Sequence, residues 1–102
     1  MQKRMQIIRE MTEADLEAVA ALEDKIFSDA WTRQSIYDTF CEKQAFIAVA
    51  ELDGKIAGYC IVYFVLDESE IARIAVDVSW RRQGVGRELL EWVEKTCEEK
   101  EV

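Results

Sequence analysis

Asp53-Gly54 sits between two apolar runs, and this pairing narrows the fold more than any other feature of the chain. An Asp-Gly pair accepts the positive φ values that a two-residue hairpin turn of the primed type requires. Before it, Phe46-Ile47-Ala48-Val49-Ala50 reads as a strand; after it, Lys55 to Leu66 reads as a long return strand. Asp67-Glu68-Ser69 is a polar connection to a third strand over Glu70 to Val78, so the middle of the chain predicts an antiparallel meander.

On either side of the meander the apolar period becomes helical. Arg4 to Glu10, with Met5, Ile7 and Ile8, forms a short opening strand, and Thr12-Glu13-Ala14-Asp15 then carries a hydroxyl N-cap followed by an acid three residues on. Leu16, Val19, Ala20, Leu22, Ile26 and Phe27 keep helical spacing to an end near Ser28-Asp29. Thr32 caps a second, shorter helix with Ile36 and Phe40 four apart. After Trp80, one face of a last helix is lined by Val85, Leu89, Trp92, Val93 and Thr96. The expectation is one α/β domain of the α+β kind over residues 1–102, in the order β-α-α-β-β-β-α. A chain of this length buries roughly 60–70% of the surface its unfolded form exposes.

Composition removes several function classes. The formal net charge of −8 argues against a nucleic-acid partner, because phosphate affinity rests on clustered Lys and Arg. No apolar run reaches the ~20 residues of a membrane span, and the basic start Met1-Gln2-Lys3-Arg4-Met5 lacks the apolar core of a signal peptide. A cytoplasmic protein is the simplest expectation. Cys41, Cys60 and Cys97 show no paired spacing, so they are expected to be reduced thiols and no metal site is expected. The absence of histidine excludes Ser-His-Asp and Cys-His catalysis.

The local exception to the acidic balance is Arg81-Arg82-Gln83-Gly84-Val85-Gly86-Arg87, between a strand and a helix. Glycines there let backbone N–H groups approach a phosphate, and a helix start adds unpaired donors and a positive dipole end. The plainer reading is a solvated helix start with a basic patch. Two nucleotide motifs fail on side chains: a Walker loop needs Gly-Lys-Ser/Thr where Gly86 is followed by Arg87-Glu88, and a dinucleotide fingerprint needs a small residue where Leu89 stands.

Ile74-Ala75-Val76-Asp77, the Arg-x-x-Gly-x-Gly turn and the helix opening Arg87-Glu88-Leu89-Leu90 together resemble motif A of the GNAT superfamily of N-acetyltransferases. Phe27-Ser28-Asp29-Ala30-Trp31-Thr32 is similar to the link between the first two helices of bacterial ribosomal-protein-alanine N-acetyltransferases, with Ala30 in place of the usual proline. The resemblance implies a mixed, mainly antiparallel sheet and acetyl-CoA as cosubstrate. Arg81, Arg82, Gln83, Gly84, Val85, Gly86 and Arg87 would hold its pyrophosphate. The backbone of Ile74, Ala75 and Val76 would pair with its pantetheine arm. Phe27 and Trp31 would face an acceptor, a protein or peptide amine such as a ribosomal protein N-terminus.

Glu70 is the strongest candidate base in the chain, at a position matching the catalytic glutamate of some histone-acetylating relatives. Strand alternation puts it on the face of Ile74 and Val76 as long as no bulge intervenes. The alternative is a strand-end carboxylate paired with Arg73 or with solvent. The resemblance also implies a C-terminal continuation, with the subgroup's glutamate and tyrosine, so the chain is expected to be truncated. A non-catalytic CoA-binding remnant that self-associates through an open strand edge, forming a homodimer, is the rival expectation. A third reading is an interaction fragment whose Gly-Arg turn is merely structural.

Overall fold

Four strands, β1 (Gln6–Glu10), β2 (Ala45–Leu52), β3 (Lys55–Val65) and β4 (Glu68–Val76), form one sheet of order β1-β2-β3-β4, in which the near-continuous apolar runs of β2 and β3 are buried on both faces. The computed structural model of the chain describes residues 6–66 and 68–100. Arg4 and Met5, assigned above to the opening strand, and Asp67, assigned to the polar connection, lie outside the described residues. Every pairing among the described strands is antiparallel, in keeping with the mainly antiparallel sheet that the resemblance implied. Asp53 (φ 51°) and Gly54 (φ 83°) both adopt the left-handed conformation of a primed hairpin turn, as their sequence requires.

Side chains of alternate residues leave the sheet on opposite faces and make two cores. One holds Leu16, Val19 and Leu22 of α1 (Leu16–Ile26) and Ile36 of α2 (Arg33–Cys41) against Ile47, Val49, Tyr59 and Ile61. The other packs Val85, Leu89, Val93 and Cys97 of α3 (Val85–Glu99) against Ala48, Ala50, Cys60 and Val62. Cys97 therefore takes the inward place that the sequence assigned to Thr96, and the three cysteines are free thiols. Burial beside Cys97 pushes the Cys60 thiol up to about 11.

The order β-α-α-β-β-β-α is as expected, but boundaries move: β2 extends over Ala45–Leu52 beyond the expected Phe46–Ala50, and β4 begins at Glu68, so Glu68 and Ser69 of the expected polar connection belong to the strand. Helix α1 stops at Ile26 instead of Ser28-Asp29, because Phe27 turns extended (φ −108°, ψ 133°). The return strand stops at Val65, and Leu66 (φ 58°) turns the chain. Strand β4 ends at Val76 rather than Val78, since the Asp77 carboxylate accepts from the Ser79 N–H at 3.0 Å and starts a 3-10 turn over Val78–Trp80. The second helix begins as expected, with the Thr32 hydroxyl accepting from the Ser35 N–H at 3.0 Å.

Candidate functional site

The site is set by the phase of β4. Residues Ile61 and Val62 of β3 face Arg73 and Ile71, so Ala72 is an extra residue in β4 and the strand carries a bulge there. Beyond the bulge, Cys60 pairs with Ile74, Tyr59 with Ala75 and Gly58 with Val76. The Asp77 N–H donates to the Ala57 carbonyl at 2.7 Å, which fixes which residues bond to β3. Ala75 spends its backbone groups on Tyr59, while Ile74 and Val76 turn theirs to the outer edge of β4. That edge has no partner strand among the described residues. The implied arm-binding role therefore suits Ile74 and Val76, and Ala75 contributes only a wall.

At the end of this edge the chain makes the turn that the sequence singled out. Arg82 (φ 64°) and Gly84 (φ 82°) are left-handed, and Gly84 is the N-cap of α3. The first helical bond runs from the Glu88 N–H to the Gly84 carbonyl at 3.0 Å. The N–H groups of Val85, Gly86 and Arg87, in the first turn, thus have no intrahelical acceptor. A Cβ on Gly86 would meet only Val76 Cγ2, at 3.7 Å, so internal packing does not require glycine there. A ligand lying on the backbone would.

Edge and turn border one cleft of about 580 Å³. It is lined by Ile74, Ala75, Val76, Arg81, Arg82, Gly84, Val85, Gly86 and Arg87, together with Ile26, Phe27 and Trp80. Gln83 is the one cradle residue outside it, its amide reaching back 3.4 Å to the Ser79 carbonyl. Arg81 uses Nε to bond the Val76 carbonyl at 3.0 Å, so it braces the strand end rather than simply presenting charge. Lys25 lies 3.4 Å from Asp77, whose carboxyl is held below the usual range by the Ser79 N–H and, against burial, by that ammonium. The described residues contain no group of three or more His, Cys, Asp or Glu that could hold a metal ion.

Glu70 is displaced from its expected face. The bulge at Ala72 breaks the alternation, so Glu70 faces Tyr63 on the α1/α2 side, opposite to Ile74 and Val76, and it does not line the cleft. Nor does Arg73 pair with it. Arg73 instead forks onto Glu23, with Nε 3.0 Å and Nη2 2.7 Å from Oε2. Glu23, fully buried, also accepts from the Trp31 N–H at 2.9 Å and from the Tyr59 hydroxyl. Burial works against this charge, but the bonds from Arg73, Tyr59 and Trp31 outweigh it and keep the carboxyl below its usual range. Burial and the bond to Glu23 push the Tyr59 phenol well above its own. Phe27 and Trp31 both border this cluster, the Arg73 guanidinium lying 3.7 Å from the Phe27 ring centroid and 5.9 Å from that of Trp31. The sequence pointed to none of Glu23, Tyr59 and Arg73 as a cluster. Its only trace is a carboxylate placed between Leu22 and Ile26 on the apolar side of α1.

Comparison with known proteins bears on the fold and the family. A profile described as Acetyltransferase (GNAT) family matches residues 16–102. The putative ribosomal protein bS18-alanine N-acetyltransferase of Bacillus subtilis (strain 168) is 34% identical over 95 residues, covering 92% of this chain and 63% of the relative. The ribosomal protein bS18-alanine N-acetyltransferase of Escherichia coli (strain K12) is 32% identical over 87 residues, covering 85% of this chain and 58% of the relative. The crystal structure of the ribosomal-protein-S18-alanine N-acetyltransferase from Escherichia coli superposes with a TM-score of 0.85 at 29% identity, over 94% of this chain and 61% of that one. The chain thus spans about three fifths of the length of these relatives. On the profile match across most of its length, the chain belongs to the acetyltransferase (GNAT) family.

Proposed function

We propose that this chain binds acetyl-CoA in the cleft beside β4 and α3 and serves the transfer of its acetyl group to a primary amine. The observation that carries the reading is the joining of a strand edge without a partner among the described residues to a glycine-bearing helix start, in one cleft bordered by Arg81, Arg82 and Arg87. A diphosphate needs several N–H donors and local positive charge, and the first turn of α3 offers both in a molecule of net charge −8. An extended amide-bearing arm needs a strand edge, which Ile74 and Val76 offer.

In the transfer a neutral amine attacks the thioester carbonyl, a tetrahedral oxyanion forms, and its collapse yields the N-acetyl product and a thiolate that takes up a proton. Outward N–H groups of β4 suit the oxyanion, since donors fixed in a ladder need no reorganisation. Glu23 does not suit the base, because three donors occupy its carboxylate. Tyr59 does not suit the acid, because its proton is given to Glu23. Of the two exposed carboxylates of β4, Glu68 and Glu70, Glu70 is the nearer along the strand to Ile74 and lies on the side of Phe27 and Trp31, so it is the one offered to accept the amine proton. The relatives' shared activity and the Phe27–Trp31 link favour a protein N-terminal amine, of the ribosomal-protein-alanine kind, as acceptor.

Thermal unfolding tests the binding. A ligand at about 100 times its Kd adds about 2.7 kcal/mol to the folded state, so saturating acetyl-CoA is expected to raise Tm by several degrees. Gly86→Ala is expected to leave the Tm of the free chain unchanged or higher and to abolish most of that rise. A Tm that stays flat at saturation contradicts the reading.

A further inference from the structure

The polar cluster behind the cleft wall has no part in the acetyl-donor reading. The Glu23 carboxylate takes donors from three separate segments: the Trp31 N–H, the Tyr59 hydroxyl and the Arg73 guanidinium. Arg73 continues outward, its Nη2 donating to the Asp29 carbonyl at 3.2 Å. An ion pair on a buried carboxylate is commonly no more stabilising than an apolar pair of the same size, so stability alone does not call for a charge at Glu23. Its geometry accounts for it better. Arg73 follows the bulge residue Ala72 directly, and with its side chain drawn to the α1 side Ile74 and Val76 present their backbone to the free edge. Glu23 also fixes Trp31, while Arg73 covers Phe27, and Phe27 lines the cleft.

We infer that Glu23 and Arg73 are a positioning pair: a latch that sets the phase of β4 and couples the cleft to the Phe27–Trp31 link on the acceptor side. The coupling to acetyl-CoA rests on the function proposed above; the setting of β4 does not.

Glu23→Leu combined with Arg73→Met replaces the ion pair with an apolar pair. In the free chain this double variant is expected to keep or raise Tm, yet to speed hydrogen exchange at the Trp31 and Ala75 amides about tenfold, with Leu89 of α3 unchanged. Arg73→Lys keeps the charge but loses the planar fork, and is expected to speed the same two amides about threefold. It decides the matter if the double variant does not fold. Exchange at Trp31 and Ala75 equal to that of the natural chain, in a folded variant, overturns the latch. So does acceleration at Trp31 alone.

In a second arm, acetyl-CoA is expected to slow exchange at Trp31 in the natural chain and not in the variants, whose affinity falls about fivefold. Binding that leaves Trp31 unaffected in the natural chain overturns the coupling. A natural chain that binds no acetyl-CoA sinks the donor-site reading, while the exchange of the free variants still judges the latch.

Discussion

Gly58 shows how closely one residue position is bound to the site. A Cβ there would stand 2.7 Å from the Ala75 carbonyl oxygen and 3.3 Å from Leu89 Cδ1, caught between β4 and α3. The Ala75 oxygen is backbone and the Leu89 side chain is fully buried, so Gly58→Ala has to push the strand or the helix aside. Overpacking of this kind costs roughly 1–3 kcal/mol, expected as a lower urea midpoint with unchanged slope. An unchanged midpoint would show that β3 yields without cost. In the sequence Gly58 is a glycine inside a strand pattern, which signals close approach without saying to what. Glu23 was harder to find for the same reason: its partners Tyr59 and Arg73 lie 36 and 50 residues away, and nothing local marks a charge that will be buried.

Among the elements, the start of α1 carries a testable electrostatic contribution. The Asp15 carboxylate accepts from Arg9 of β1 at 2.7 and 3.0 Å and from the Thr12 N–H at 2.7 Å, tying the strand to the helix entry. The Arg9 guanidinium, against the effect of burial and with help from Thr12, holds the Asp15 carboxyl down to about 2 from its ordinary 3.8. Because the folded value lies below the unfolded one, this stabilisation is complete above about pH 4 and is lost as the pH falls toward 2. It amounts to on the order of 2 kcal/mol. Unfolding free energy measured from pH 5 to pH 2 is expected to fall less steeply in Asp15→Asn than in the natural chain, and equal slopes would contradict the assignment. Elements governed by local chemistry were legible: the Thr32 cap, the Asp53-Gly54 turn and the Gly84 helix start all stand where their residues put them. The bulge was not, because Ile71-Ala72-Arg73-Ile74 alternates as well in one phase as in the other, and only the partner strand decides between them. That single slip moved Glu70 to the opposite face.

At the scale of the molecule, an acidic chain gathers Arg81, Arg82 and Arg87 at one end of a sheet edge. The proposed acetyl-CoA site accounts for that placement, and since the chain spans about three fifths of its relatives, the acceptor side built on Phe27, Trp31 and Glu70 is likewise a proposal. The donor side stands on residues that this chain holds itself. Titration of the isotopically labelled chain with acetyl-CoA, followed by amide NMR, tests it most directly. Saturable shifts are expected at Ile74, Val76 and Gly84 through Arg87, with the α2 amides unmoved. Saturation with no shift at Gly84 through Arg87, or the absence of any saturable binding, would contradict the account.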